Sequence, residues 1–216
     1  MKSWPKIDGA LADYVDGNWL RDSPLKRRLR EETAKMPGAG MQISAHQGQQ
    51  IGLLARAIGV RRAVEVGTFT GYSSLAMARA LPPGGKLLCC DVSEEFTAIA
   101  RRHWERAGVA DRIELRIGPA LETLRSLPTG TVIDLAFIDA DKPAYRSYYE
   151  EILARMRPNG LLLIDNTLWS GHVARDDQQD ESTAALRELN DLIARDERVE
   201  SYILPISDGL TMVRKR

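Results

Sequence analysis

The chain lacks most of the features that would tie a protein to one obvious partner or compartment. It has two cysteines in 216 residues, and they are neighbours, Cys89 and Cys90. Adjacent strand residues point to opposite faces, so a mutual disulfide is not expected. Both read as buried free thiols of a reducing compartment. No stretch approaches the roughly 18 consecutive apolar residues that a membrane-spanning helix needs. Met1-Lys2-Ser3-Trp4-Pro5-Lys6 leads into no apolar segment of the signal-peptide kind, so a cytoplasmic location is expected. Net charge is missing too, because 30 basic and 30 acidic residues cancel. Without a global field, nucleic acid is a poor candidate partner, although a local patch stays open. The three histidines, His46, His103 and His172, have no ligand-like spacing, which speaks against zinc. His103 is expected on a helix surface and His172 in a plain loop.

What is present is ordinary for a soluble globular protein: 44% hydrophobic and 28% charged residues. There is no internal repeat, low-complexity tract or linker, so residues 1–216 are expected to form one domain. Residues 1–60 read as a helical N-terminal cover. Ile7, Leu11, Tyr14 and Val15 recur at helical spacing, and Asp22-Ser23-Pro24 starts a charged helix through Leu25 and Leu29 toward Met36. Pro37-Gly38-Ala39-Gly40 breaks it, and a third helix carries Ile51, Leu53, Leu54, Ala57 and Ile58 up to Gly59.

From Arg61 the pattern alternates. Candidate strands are 63–66, 86–91, 113–117, 133–138 and 160–165, with helical stretches between them. Tyr145, Tyr148, Tyr149, Ile152, Leu153 and Met156 form one such helical face. Alternating strands and helices predict βαβ units, right-handed crossovers and a mainly parallel, doubly wound α/β sheet with helices on both faces. Val199–Leu204 and Leu210–Val213, joined through Asp208-Gly209, predict an antiparallel C-terminal hairpin.

In such a sheet, ligands gather at the carboxyl ends of the strands. Gly67 and Gly71 follow the first strand, and glycines there let backbone approach a ligand near a helix N-terminus. Their spacing is not the dinucleotide fingerprint. Asp91 ends the second strand at the position of a ribose-binding carboxylate. Glu65, an acid inside an apolar strand, needs a partner to offset its burial.

Asp139 ends the fourth strand, and Asp165-Asn166 ends the fifth. Two carboxylates and an amide oxygen suit magnesium, manganese or calcium rather than zinc. Lys142 follows Asp139 closely, and beside a cation it is a candidate general base.

Glu65-Val66-Gly67-Thr68-Phe69-Thr70-Gly71-Tyr72-Ser73, Gly118-Pro119-Ala120, Asp139-Ala140-Asp141-Lys142 and Asp165-Asn166-Thr167-Leu168-Trp169 together resemble the cation-dependent class I O-methyltransferases, which include the caffeoyl-coenzyme A and catechol enzymes. The resemblance runs from about Leu29 to the C-terminus and takes in Met41-Gln42-Ile43-Ser44 and Asp208-Gly209-Leu210. It implies a Rossmann-like seven-stranded sheet, S-adenosylmethionine as methyl donor, a divalent cation and a homodimer.

Residue by residue, the resemblance assigns the cofactor side to Ile43, Glu65, Gly67, Thr68, Phe69, Ser73, Asp91, Ala120, Asp139 and Asp141. The cation falls to Asp139, Asp165 and Asn166, catalysis to Lys142 and Asp139, and the acceptor to Trp169 and Ser170. The implied reaction moves a methyl group to a hydroxyl of a small phenolic acceptor with two vicinal hydroxyls. The coenzyme A-ester enzymes carry a longer segment rich in arginine and tyrosine after the tryptophan, and usually Asn where this chain has Ser170. Here residues 171–180 are short, acidic and free of aromatics, which points to a small catechol rather than a coenzyme A ester. An ester-type methyltransferase, a nucleotide-dependent oxidoreductase and a non-catalytic cofactor-binding protein are the competing readings.

Overall fold

The computed structural model describes residues 8–128 and 130–216. The readings made on Met1–Lys6 and Ile7 lie outside them. Helices α1 (Gly9–Trp19), α2 (Pro24–Thr33) and α3 (Ala45–Ala57) precede the sheet. Ser23 caps α2 ahead of Pro24, and Ser44 with Gln47 forms a capping box on α3. Both arrangements satisfy orphan N–H groups of the first turn. α2 and α3 bury Leu29, Thr33, Ile51 and Ala55. α1 buries nothing: Leu11 and Tyr14 stay exposed.

The rest alternates: β1 (Arg62–Val66), α4 (Tyr72–Ala78), β2 (Lys86–Asp91), α5 (Glu94–Arg106), β3 (Ile113–Ile117), α6 (Ala120–Ser126), β4 (Ile133–Ile138), α7 (Tyr145–Arg155), β5 (Met156–Ile164), α8 (Glu181–Arg195), β6 (Val199–Leu204) and β7 (Leu210–Lys215). One seven-stranded sheet runs in the order β3-β2-β1-β4-β5-β7-β6. β1 to β5 pair in parallel, and β7 is antiparallel to both β5 and β6. The C-terminal hairpin therefore forms as expected, but its second strand, not its first, docks on the parallel sheet.

Strand alternation divides the core between two faces. Ala63, Leu87, Cys89, Leu135, Phe137 and Leu163 pack with residues of α3, α4 and α5. Val64, Cys90, Ala136, Ile138 and Ile164 pack with residues of α6, α7 and α8. Cys89 and Cys90 thus enter opposite cores as buried free thiols. Among the described residues no helix is long and apolar enough to cross a membrane.

Two expectations change. Met156 is not on the helical face of α7 but opens β5. Met156 is already extended, with φ of −75° and ψ of 138°, and Pro158 two residues on could not continue the helix. His103 is not a surface residue; it is 1% exposed. α2 covers that side of α5, and His103 Nε2 lies 2.8 Å from Glu32 Oε2. Ile99, Ala100, His103 and Trp104 form the buried stripe of α5, a spacing already readable in the sequence.

Candidate active site

The carboxyl ends of the strands are stitched together by backbone hydrogen bonds. Gly118 N donates to Asp91 O, Gly67 N to Cys90 O, Asp139 N to Val66 O, and Asp165 N to Ile138 O. The candidate residues thereby line one edge of the sheet. The strand order turns between β1 and β4 at its middle, where an open α/β sheet forms its crevice.

Gly67 and Gly71 have φ of 88° and 86°. At Gly67 a Cβ would lie 1.8 Å from the Asp139 carbonyl oxygen, so only glycine lets the loop pass the end of β4. Gly71 N donates to Thr68 O to close the loop. Asp91 Oδ2 accepts from Thr68 N at 2.8 Å and Phe69 N at 2.7 Å, and its Oδ1 accepts from Ser93 N. The carboxylate expected to meet a ribose is thus also the brace of the loop. Phe69 stacks edge-on against Phe96 at 4.8 Å.

Glu65 is fully buried, and Cys89 Sγ donates to its Oε2 at 3.4 Å. Burial pushes its pKa up to about 7, with Ser73, Cys89 and Thr68 offsetting part of the effect. Glu65 Oε1 and Thr68 Oγ1 are buried without a hydrogen-bond partner. Two unpaired polar atoms beside a glycine loop fit a bound polar or cationic ligand.

The second cluster is built around Lys142, which a short 3-10 turn, Lys142–Ala144, places beside the end of β4. Its Nζ donates to Tyr145 Oη and Asn166 Oδ1 at 2.7 Å each, to Ala140 O at 3.1 Å and to Asp139 Oδ1 at 3.3 Å. It lies 5.5 Å from the centre of the Trp169 ring. Burial raises the Asp139 pKa, opposed by Lys142. Asp165 is pushed up to about 7 by burial and by the Asp139 charge, with the Asn166 N–H and Gln47 working the other way. A buried carboxylate, a half-buried one whose charge raises it, and an amide oxygen alongside form a donor set that a hard cation suits. Among the described residues no three His, Cys, Asp or Glu side chains cluster as a metal site. The third donor here is an amide.

Asn166, Trp169 and Ser170 adopt φ of 59°, 47° and 52°. Left-handed backbone in residues other than glycine concentrates at functional sites, where surrounding contacts hold the strain. Here Ser170 N donates to Asp208 Oδ1, and Leu168 N to Asp208 O. Arg187 on α8 donates to the carbonyls of His172, Val173 and Arg175, pinning the segment after the tryptophan.

Not every assigned residue joins these clusters. Ile43 is buried in the core shared with α3, and Ala120 opens α6 after Gly118-Pro119. Asp141 is exposed and accepts from the Tyr148 hydroxyl at 2.8 Å. Sequence reasoning missed Gln47, whose Nε2 donates to Asp165 Oδ1 at 2.8 Å, and the polar role of Tyr145. The Ser44-x-x-Gln47 capping box was visible in the sequence, but its partner across the fold was not.

A family model for O-methyltransferases matches residues 18–216. The chain belongs to the O-methyltransferase family. The match to relatives runs along most of each protein. The mouse (Mus musculus) catechol O-methyltransferase domain-containing protein 1 is 38% identical, over 98% of this chain and 82% of the mouse protein. Maize (Zea mays) caffeoyl-CoA O-methyltransferase 2 is 39% identical, over 99% and 85%. The crystal structure of an O-methyltransferase from Bacillus cereus in complex with SAH superposes with a TM-score of 0.87 at 30% identity, covering 96% of this chain and 97% of that one. The seven-stranded sheet of this methyltransferase is the class I methyltransferase fold. The oxidoreductase alternative is set aside by the family match.

Proposed function

We propose that this methyltransferase acts as a single domain, in the cytoplasm and as a homodimer, to transfer a methyl group from S-adenosylmethionine to one hydroxyl of a small catechol with the help of a divalent cation. The observation that carries the reading is the Lys142 ammonium held among Asp139, Asn166 and Tyr145 beside the glycine loop. An ammonium resting against these oxygens marks a position that favours positive charge.

Glu65, Gly67, Thr68, Phe69, Ser73 and Asp91 would hold the methyl donor, with Ile43, Ala120 and Asp141 at its margins. Asp139, Asp165 and Asn166 would hold magnesium, manganese or calcium. When bound, S-adenosylmethionine supplies the methyl group and the cation, as a Lewis acid, eases loss of the proton from the acceptor hydroxyl. As the neutral amine, its own proton released to solvent, Lys142 would take that proton at Nζ, and Tyr145 Oη and Asn166 Oδ1 orient it. Trp169 and Ser170 bound the acceptor and keep its hydroxyl near the methyl group, where proximity supplies much of the rate. Buried Thr68, Ser73 and Tyr145 keep the floor of the site closed to water.

The choice of a small catechol over a coenzyme A ester rests on residues 171–180. That segment carries Asp176, Asp177 and Asp180 and no aromatic side chain, and Arg187 ties it to α8. A polyanionic ester finds little there to hold it. The test is methyl transfer to caffeic acid, other small catechols and caffeoyl-CoA, with magnesium and with excess chelator. Chelator-sensitive methylation of the free catechols is expected. Turnover that ignores the chelator, or that occurs only on the ester, overturns the corresponding part of the reading. Donor and cation binding with no acceptor methylated would favour a non-catalytic role.

A further inference from the structure

A second cleft, of about 280 Å³, opens between α2, α3 and α4. None of the residues assigned to methyl transfer lines it. Arg21, Lys26, Arg56 and Arg79 do, and no carboxylate does. The whole chain has a net charge of zero, so four cations without an acid is a local arrangement rather than a reflection of general basicity.

The helices make the cleft by approaching closely. A Cβ on Gly52 would lie 3.3 Å from the Ala76 carbonyl oxygen, and one on Gly48 would lie 2.5 Å from the Tyr72 ring. The basic side chains thus surround a floor of small residues. Ser23, the N-cap of α2, also lines the cleft, and the positive end of that helix adds to the field.

Little in the protein balances these charges. Among the described residues none of the four side chains is in an ion pair. Asp22, next to Arg21 in the chain, is already held by Arg30 at 2.9 Å and by the Tyr72 hydroxyl at 2.9 Å. Lys26 is half-buried, with its ammonium 5.3 Å from the centre of the Tyr72 ring. Burial lowers its pKa, Arg79 and Arg56 lower it further, and Asp22 opposes them. An anion in the cleft would relieve that strain.

We propose that this cleft binds a compact phosphoryl anion of pyrophosphate size. Guanidinium forks and a lysine ammonium are the side chains that recognise phosphate oxygens. The volume is just below the roughly 300–1,000 Å³ of sites that enclose a drug-sized ligand, so the cleft holds the phosphoryl end and not a whole nucleotide. The proposal does not depend on the methyl-transfer reading.

The test is isothermal titration of the full chain with inorganic pyrophosphate and inorganic phosphate at constant ionic strength. Saturable binding of one pyrophosphate per chain is expected, with phosphate weaker. The Arg56→Gln/Arg79→Gln variant changes two exposed side chains, and its fold is checked by thermal unfolding. It should weaken pyrophosphate binding about tenfold or more. An Arg101→Gln/Arg106→Gln control on the exposed side of α5 should leave binding unchanged. A parallel arm with ADP separates free pyrophosphate from the nucleotide-borne group, and binding of either supports the site. No saturable binding of either pyrophosphate or ADP, or equal weakening by both double variants, overturns it.

Discussion

Gln47 and Asp165 are 118 positions apart in the chain, yet Gln47 Nε2 donates to Asp165 Oδ1 at 2.8 Å. Both side chains are buried. The bond ties α3, part of the N-terminal cover, to the end of β5. It orients a carboxylate that burial and Asp139 make reluctant to ionise. In the proposed cation site Asp165 is a ligand, and a group that orients a metal ligand is commonly worth about 10–100-fold in affinity or activity. Gln47→Leu is therefore expected to raise the magnesium concentration needed for half-maximal turnover by about that factor. Donor affinity, read by titration calorimetry, should stay near the wild-type value. An unchanged magnesium dependence would remove Gln47 from the site.

Lys142 offers a second test. It is proposed to move the proton of the acceptor hydroxyl, and general-base groups contribute about 10²–10⁴-fold. Lys142→Met should lower kcat by that order while KM for the donor changes little. Arginine is no substitute, because its guanidinium does not give up its proton in a protein. Substantial activity in either variant would assign proton removal to solvent.

Glu65 predicts a pH dependence. Its folded pKa is raised to about 7 from an ordinary 4.5, so between these values the native state binds more protons than the unfolded chain. Stability of the ligand-free protein therefore falls as pH rises through that window, by roughly 3 kcal/mol for this one group. Glu65→Gln should flatten this part of the profile, read as the difference in urea midpoint between variant and wild type from pH 4.5 to 7. Parallel profiles for the two proteins would show that Glu65 does not titrate there.

Gly67 predicts a structural failure. With φ at 88° and the Asp139 carbonyl in the place of a Cβ, Gly67→Ala has to displace the end of β4. The expected loss is on the order of 3 kcal/mol or more, seen as a lower thermal midpoint or insoluble protein. Gly108→Ala, where φ is 65° but nothing lies within 4 Å, should cost less. Equal losses would mean that backbone conformation, not the approach to Asp139, sets the cost.

The order of strands and helices was legible from Arg61 onward because it is written in short-range signals. Hydrophobic runs of period two or near 3.6, with glycine, proline and capping residues at their ends, depend on neighbours a few positions away. β2, β3, β4 and β6 begin and end where the sequence placed them. The carboxylates and glycines of the site were legible for a related reason, since Gly67, Asp91, Asp139 and Asp165 each sit where a strand stops and Glu65 interrupts an apolar strand. Met156 was misplaced because an apolar residue at a helix–strand junction satisfies both periods, and the proline two positions later settled it.

Other features had no local signal. Gln47 meets Asp165, Glu32 covers His103, and β7 inserts between β5 and β6. Each depends on which surfaces pack together once the sheet has formed. The same holds for Arg21, Lys26, Arg56 and Arg79, which are scattered charges in the sequence and neighbours only where glycines let α3 meet α4. Chain-local chemistry specified the elements, the turn residues and the strand-end carboxylates. Side-chain partners across the fold, and the charges left without one, came from packing, because contact between distant segments leaves no period in the sequence.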